Sequence, residues 1–533
     1  MLFKIFFKGY EPERLRIFPY NLLFLLIIVV QKSNVLTRNI PSELKTFTRK
    51  KFIKLGLGAG AAVFLQACGL GGNKKKNGDL GQLSDTGHGL KTPDIASSSS
   101  TLDILDKSDP RYDTLRSVFN QRIDKYPAYI ALCTKTEEVG EAVAFAMKKK
   151  LPIAIKSGGH SMEGFSSNDN GLMINLSKMN QIEMLGDGKI KVGPGCTLSH
   201  LYDNILPKGL LLPTGSCASV GLGGLALGGG YGLFARKYGL TCDHLLEATL
   251  VDGQGNIHST KDDAELLWAL KGGGNGNYGI VTEMVFNTQK APATLQAHHF
   301  KSRHLNPETA AKLLQDWMDI AAQLPESCFS GYVLNGHTLN ILVTNYELGN
   351  EALPPLLDHL AGLVDEFHSS KETALAKKLK NYYGSDHPVY FRNSSAGLYK
   401  SFSDISSCIT EVFTTTMNTP GMIFAVNTLG GQVKNPDFKK RSAFPHREFN
   451  FVSELQAYGN NTPAQNKSLG EATDGVLKLI AQNGINAQYV NYCSLQFNDW
   501  EKNYYGENYP RLQAIKRKYD PNNNIRHPLS VRG

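Results

Sequence analysis

The stretch "PIAIKSGGHSMEGFSSNDNGLMINLSKM", residues 152–179, begins and ends as buried strand, yet two glycines, a histidine and a crowd of hydroxyl side chains interrupt it. A Gly-Gly pair directly after a strand lets main-chain N–H groups converge on an anion without side-chain obstruction, and it permits positive φ. KSGGHS (156–161) is therefore a candidate pyrophosphate cradle, the alternative being a tight turn with a solvated histidine.

The flanking sequence supports the strand assignment. AYIALC (128–133) has the β-branched and apolar content of a strand, and TEEVGEAVAFAMKKK (136–150) has the spacing of an amphipathic helix that Pro152 closes. This α/β patterning runs from Tyr112 to about Thr288. Within it lie two further glycine-rich turns: PTGSCASVGLGGLALGGGYG (213–232), and the helix, loop and strand DAELLWALKGGGNGNYGIVTEMVF (263–286). Three such turns point to one long phosphate-bearing ligand. Gly221, Gly223 and Ala226 match the dinucleotide fingerprint, but PTGSCAS precedes them where a nicotinamide-binding βαβ unit needs a β-branched strand.

Residues 289–488 change character, with helical PETAAKLLQDWMDIAAQL (307–324) and strand-like TLNILVTNYEL (338–348). The C-terminal stretch carries a strand-like AQYVNYCSL (487–495) and a helix, NYPRLQAIKRKYD, ended by Pro521. The eight cysteines, Cys68, Cys133, Cys196, Cys217, Cys242, Cys328, Cys408 and Cys493, form no CxxC pair, which argues against zinc and iron–sulfur sites; any disulfide pairing stays open.

The net charge of +9 is uneven: residues 1–76 hold fourteen Lys/Arg against three Asp/Glu, and the rest is close to neutral. A nucleic-acid binder needs its basic stripe inside the folded body, where none is evident. TRKKFIKLGLGAGAAVFLQAC (48–68) has a basic n-region, a short apolar h-region and a small residue before cysteine, which is signal-peptide architecture. Leu65-Gln66-Ala67-Cys68 resembles a bacterial lipobox, making Cys68 the expected lipid-bearing residue, and Arg49-Lys50-Lys51 resembles a relaxed twin-arginine signal. NLLFLLIIVV (21–30) is too short to span a bilayer, which takes roughly 20 residues. Residues 69–100 are rich in Gly, Ser and Lys, as in a flexible tether.

KSGGHS, GSCASVGLGGLALGGGYGLFARKYGLTCDHLLEATLVDGQG, ELLWALKGGGNGNYGIVT, FPHR (444–447) and the segment from YVNYCSLQFNDW to RHPLSV together resemble the berberine-bridge-enzyme-like branch of the vanillyl-alcohol-oxidase-type FAD flavoproteins. The resemblance implies an α+β fold: a two-part PCMH-type FAD-binding domain, and a substrate domain in which helices cover an antiparallel sheet. The expected divisions are export signal 1–68, tether 69–110, FAD domain 111–288, substrate domain 289–486, and a C-terminal segment 487–533 returning to the FAD domain.

By resemblance, FAD is expected to be bicovalent, His160 attacking the flavin 8-methyl position and Cys217 bonding ring carbon 6. A neutral imidazole and a thiolate are side chains able to add to an electron-poor ring near neutral pH. Expected around the cofactor are Lys156, Ser157, Gly158, Gly159 and Ser161; Val220, Gly221, Gly223, Gly224, Gly228, Gly229 and Gly230; and Gly279, Ile280 and Val281. Tyr489 is the expected base, with Tyr492 the alternative, and a depressed phenol pKa would suit that role. Asn491, on the same strand face as Tyr489 by the two-residue period, is expected to contact the flavin. His446 either shapes the substrate pocket or is merely hydrogen-bonded.

In the family that the chain resembles, a small residue three past the tethering cysteine accompanies reoxidation by oxygen; Val220 holds that position here, which favours an oxidase over a dehydrogenase with a quinone or protein acceptor. The substrate is either an oligosaccharide hemiacetal or an aromatic or polycyclic alcohol or amine. The aromatics of YYGSDHPVYFRNSSAGLY (382–399) either stack on sugars or pack internally. A lipid-anchored binding protein without flavin and a nicotinamide-dependent dehydrogenase are the rivals from other classes. The expected location is the periplasmic side of a bacterial membrane or the cell surface.

Overall fold

A computed structural model describes residues 102–385 and 387–533. The leader, the lipobox at Cys68 and most of the expected tether lie outside the described residues. No helix among the described residues is long and apolar enough to cross a membrane.

The folded body reaches further toward the N-terminus than expected. Asp103–Leu105, assigned to the tether, pairs antiparallel with Tyr129–Leu132, because Leu105 finds an apolar pocket among Tyr112, Ile130 and Met173. These two strands join Leu172–Asn175 and Ile153–Lys156 in a four-stranded sheet whose last three members are parallel. LMIN (172–175) is buried at every position, as a central parallel strand must be. The helix Thr136–Lys149 lays Val139, Ala142, Val143 and Ala146 on the sheet. That i, i+3, i+4, i+7 spacing is the period read from sequence.

A five-stranded antiparallel sheet follows, in the order Ile182–Gly186, Lys189–Val192, Gly279–Asn287, Leu245–Asp252, Ile257–Ser259. The third sheet is also antiparallel. Its main path runs Glu366–Ser369, Thr294–Ser302, Thr338–Asn345, Cys328–Asn335, Met422–Thr428, Phe451–Tyr458, Phe391–Tyr399. Helices Pro307–Gln323, Ile409–Asn418 and Pro463–Gln482 cover one face. The architecture is thus the expected α+β arrangement.

Side-chain alternation assigns the two faces of this third sheet. In FVSELQAY (451–458), Phe451, Leu455 and Ala457 join the helix-side core with Trp317, Phe424 and Leu477. Glu454, Gln456 and Tyr458 point the other way and line a cleft. The C-terminal helix Tyr509–Tyr519 packs on helix Ala264–Leu270. Its fully buried Lys516 pairs with Asp520 at 2.6 Å and donates to the carbonyls of Asn277 and Ile525 at 2.6 and 2.5 Å. This fastens the third glycine turn to the C-terminal segment.

The first two glycine turns touch backbone to backbone. A Cβ on Gly158 would lie 2.2 Å from the Gly221 nitrogen, and one on Gly221 would lie 2.1 Å from Ser157 Oγ and 2.3 Å from the Gly158 nitrogen. Ser157 Oγ is held by a 2.6 Å hydrogen bond to the Pro194 carbonyl, so it has no room to retreat. Gly221→Ala should therefore cost roughly 3 kcal/mol of stability through enforced backbone displacement. Gly224→Ala, whose Cβ meets nothing within 4 Å, should stay within about 0.5 kcal/mol of wild type. Denaturant melts of the apoproteins compare the two, and equal effects would reject the close-contact account.

Candidate functional site

The three glycine turns and the polar face of the third sheet enclose a single deep cleft. On one side lie Ser157, Gly158, Gly159, His160 and Ser161, then Cys217, Val220, Gly221, Gly223 and Gly224, then Gly279, Ile280 and Val281. Gly159 has φ +73°. The main-chain N–H groups of Gly158, Gly159 and His160 meet no acceptor among the described residues. Successive unpaired N–H groups around a left-handed glycine form an anion-binding concavity, so this turn fits a pyrophosphate.

The side chains of His160 and Cys217 come to the same cleft. The His160 ring stacks on Phe119 with centroids 4.0 Å apart, and its Nε2 lies 3.0 Å from Ser219 Oγ. Burial lowers its pKa to about 4, so the imidazole is neutral at pH 7. Cys217 is exposed on the cleft wall. Burial, with the nearby Glu454 charge, raises its pKa to about 11. In this state it is a thiol, where the sequence reading expected a thiolate.

Tyr489, Asn491 and Tyr492 also line the cleft, though AQYVNYCSL is not a strand. Val490–Tyr492 is a single 3-10 turn, because the main chain here bonds to separate partners: Gln488 N–H to Asn503, and Tyr489 N–H to Ser395 Oγ. Tyr489 and Asn491 still meet, the Asn491 amide donating to the Tyr489 hydroxyl at 2.9 Å. A second donor, the Gly230 N–H, reaches that hydroxyl at 3.0 Å. The Tyr492 hydroxyl lies 2.8 Å from that of Tyr231, which accepts from Asn427 at 3.2 Å.

Neither phenol is acidified as expected. Burial raises Tyr489 to about 12, and burial with the Glu454 charge drives Tyr492 well above its ordinary value. Glu454 itself is held above the usual carboxylate range by burial, against hydrogen bonds from Asn393, Gln456, Asn427 and Tyr492 that oppose the shift. The Asn393 amide donates to it at 2.9 Å.

Several expectations are corrected. Lys156 does not line the cleft; its ammonium donates to the carbonyls of Leu115 and Ser117. Gly228, Gly229 and Gly230 lie behind the lining. A Cβ on Gly228 would sit 2.0 Å from Asn491 Oδ1 and one on Gly230 2.5 Å from Thr241 Oγ1, so these glycines make room for other residues. His446 is buried outside the cleft, with Nε2 2.8 Å from the Asn503 carbonyl. Of the aromatics in 382–399, Tyr382, Tyr383 and Phe391 line the cleft, whereas Tyr399 packs in the core.

Sequence reading missed Glu454, Tyr231, Asn427, Asn393 and Gln456 in the lining. The available signal, for Glu454 and Gln456, was the alternation of polar with apolar residues in ELQA (454–457), which marks a strand with one polar face.

Comparison with known proteins gives two family matches, an FAD binding domain at residues 127–261 and a berberine and berberine-like segment at 488–532. An FAD-linked oxidoreductase of Metarhizium anisopliae is 30% identical over 474 residues, covering 82% of this chain and 90% of the relative. A chitooligosaccharide oxidase of Gibberella zeae is 30% identical over 445 residues, covering 78% and 89%. Among solved structures, a glucooligosaccharide oxidase from Acremonium strictum, described as carrying a 6-S-cysteinyl, 8α-N1-histidyl FAD, superposes with TM-score 0.72 at 26% identity, covering 81% of this chain and 97% of that one.

The lowered histidine pKa values set a pH response. Burial brings His446 from its ordinary 6.5 down to about 4 in the folded protein, so the unfolded chain binds more protons between those values. Stability therefore rises with pH across that window and is lost as pH falls through it, by up to about 3 kcal/mol for this group. Denaturant melts at pH 4.5 and 7 should show a shallower pH dependence for His446→Gln than for wild type. An unchanged slope would refute the assignment.

Proposed function

Because the chain belongs to the berberine-like family of FAD-linked oxidoreductases, we propose that it oxidises the anomeric hydroxyl of an oligosaccharide. FAD is held through both His160 and Cys217, Glu454 receives the hydroxyl proton, and dioxygen is the final electron acceptor. When bound, FAD supplies the hydride acceptor. The protein orients the substrate, excludes water and moves the proton.

The observation that carries this reading is the convergence of Glu454, Tyr492 and Tyr231 on the cleft that also receives His160 and Cys217. A carboxylate whose affinity for protons is raised by burial is a better base near neutral pH than a phenol that is already protonated. Tyr492, between Tyr231 and the carboxylate, is placed to pass the proton inward. Tyr489, receiving two donors, orients Asn491 and the second glycine turn. Asn393, Asn427 and Gln456 supply amide groups to the sheet wall, and Phe391 and Tyr458 stack at 6.0 Å. Amide groups beside an aromatic surface suit a hydroxyl-rich ring better than an apolar polycycle. The relatives named for oligosaccharide oxidation support the same choice.

Acid precipitation should leave the yellow colour in the pellet, and mass mapping should find flavin on two peptides, one with His160 and one with Cys217. Complete release to the supernatant would reject covalent attachment. With oligosaccharides, turnover should generate hydrogen peroxide. As pH falls, kcat/KM should decline on a limb above the ordinary carboxylate range, where Glu454 takes up its proton. Glu454→Gln should lower kcat roughly 100-fold or more and abolish that limb while keeping both flavin attachments. Activity near wild type in this variant would overturn the assignment of the base.

The leader at 48–68 supports export and lipidation at Cys68, which puts the enzyme on a bacterial membrane surface. Expressed in a bacterial host, Cys68→Ser should move the enzyme from the membrane to the soluble fraction. Unchanged membrane association would remove the lipid anchor.

A further inference from the structure

We propose that Ser219 is a positioning residue for flavin attachment: it turns His160 so that Nδ1, and not Nε2, is the nitrogen that bonds the cofactor. The inference rests on the covalent reading above.

The Ser219 hydroxyl lies 3.0 Å from Nε2. With that hydroxyl accepting, the nitrogen that meets Ser219 carries the N–H. A neutral imidazole protonated at Nε2 has its free in-plane lone pair on Nδ1 alone. Burial keeps the ring neutral. Phe119 covers one ring face, and its own N–H donates to the Gly159 carbonyl at 3.1 Å, which fixes the stack to the histidine turn.

The Ser219 position is itself set by the contact between the glycine turns. A Cβ on Gly158 would lie 2.9 Å from the Ser219 carbonyl oxygen, so there is no slack through which the two could drift apart. Ser219 also sits two residues beyond Cys217 on the same turn. The segment that brings one tether therefore orients the other.

In the attachment step the Nδ1 lone pair forms the bond to the flavin 8-methyl carbon, and one C–H bond of that methyl group breaks. The electron pair of that bond stays on the ring, leaving it reduced by two electrons. The methyl proton and the Nε2 proton are released, and dioxygen takes the two electrons with two protons, giving hydrogen peroxide. A hydroxyl suits both ends of this step, since it accepts from Nε2–H before attachment and donates to the bare Nε2 afterwards.

The test adds FAD to full-length apoprotein and follows flavin on the His160 and Cys217 peptides by mass spectrometry, with NMR of the isolated histidyl peptide to identify the bonded nitrogen. In Ser219→Ala the His160 attachment should slow at least tenfold or appear partly on Nε2, while the Cys217 peptide still loads. Ser219→Thr should keep rapid Nδ1 attachment, and Ser219→Val, of the same bulk without the hydroxyl, should lose it. This pair decides the matter should the alanine variant fold poorly. Wild-type rate and Nδ1 linkage in the alanine or valine variant would overturn the role of Ser219. A wild-type protein with no flavin on the His160 peptide would overturn both this inference and the covalent reading.

Discussion

The structure depends on the place where two turns meet without side chains between them, at Gly158 and Gly221. At that distance the main chains of the histidine turn and the cysteine turn are in van der Waals contact, and interiors packed to crystal-like density cannot absorb an added methyl there without shifting backbone. One consequence is structural: the four-stranded sheet, whose strand Ile153–Lys156 leads into the first turn, is docked against the segment that opens helix Leu222–Leu227. The other is chemical, since the same contact holds His160 and Cys217 to one cleft and Ser219 against the imidazole.

The far wall of the cleft follows from a different constraint, the two-residue period of an antiparallel strand. With Phe451, Leu455 and Ala457 committed to the helix-side core, Glu454, Gln456 and Tyr458 have to face inward. Burying a carboxyl there is costly without partners, and the partners come from neighbouring strands: Asn393 across the ladder, Asn427 on the strand Met422–Thr428, and Tyr492 from the C-terminal turn. Hydrogen bonding only partly offsets the loss of water, so the group stays a stronger base than an exposed glutamate. The same carboxylate works against ionisation of Tyr492 and Cys217, which sets these groups apart in their readiness to lose a proton.

The third glycine turn is tied down by charge. Lys516 and Asp520 are both fully buried, and the ammonium also reaches the Asn277 and Ile525 carbonyls, so its donors are satisfied within the protein. Removing one member of such a pair costs on the order of 3–5 kcal/mol, because the other charge is stranded. The C-terminal segment is thereby part of the cleft: it carries Tyr489, Asn491 and Tyr492 into the lining and locks Asn277 behind it.

The amino-acid sequence alone determined the features that reside in short stretches. These were the strand and helix alternation around residues 128–179 and the three glycine turns, since backbone freedom and apolar periodicity are local properties; the pairing of His160 with Cys217 came from the family resemblance. Tertiary structure decided the rest. Lys156 ends a strand that leads into the first glycine turn, but the carbonyls of Leu115 and Ser117, some forty residues earlier, take up its ammonium outside the cleft lining. AQYVNYCSL reads as a strand until its main-chain N–H groups find partners at Asn503, Ser395 and Glu163, on three separate segments. Glu454 looks like one surface glutamate among many, and only the register of its sheet, together with desolvation by residues distant along the chain, turns it into the cleft and raises its proton affinity. Proton affinity depends on what surrounds a group in space, which local sequence does not encode.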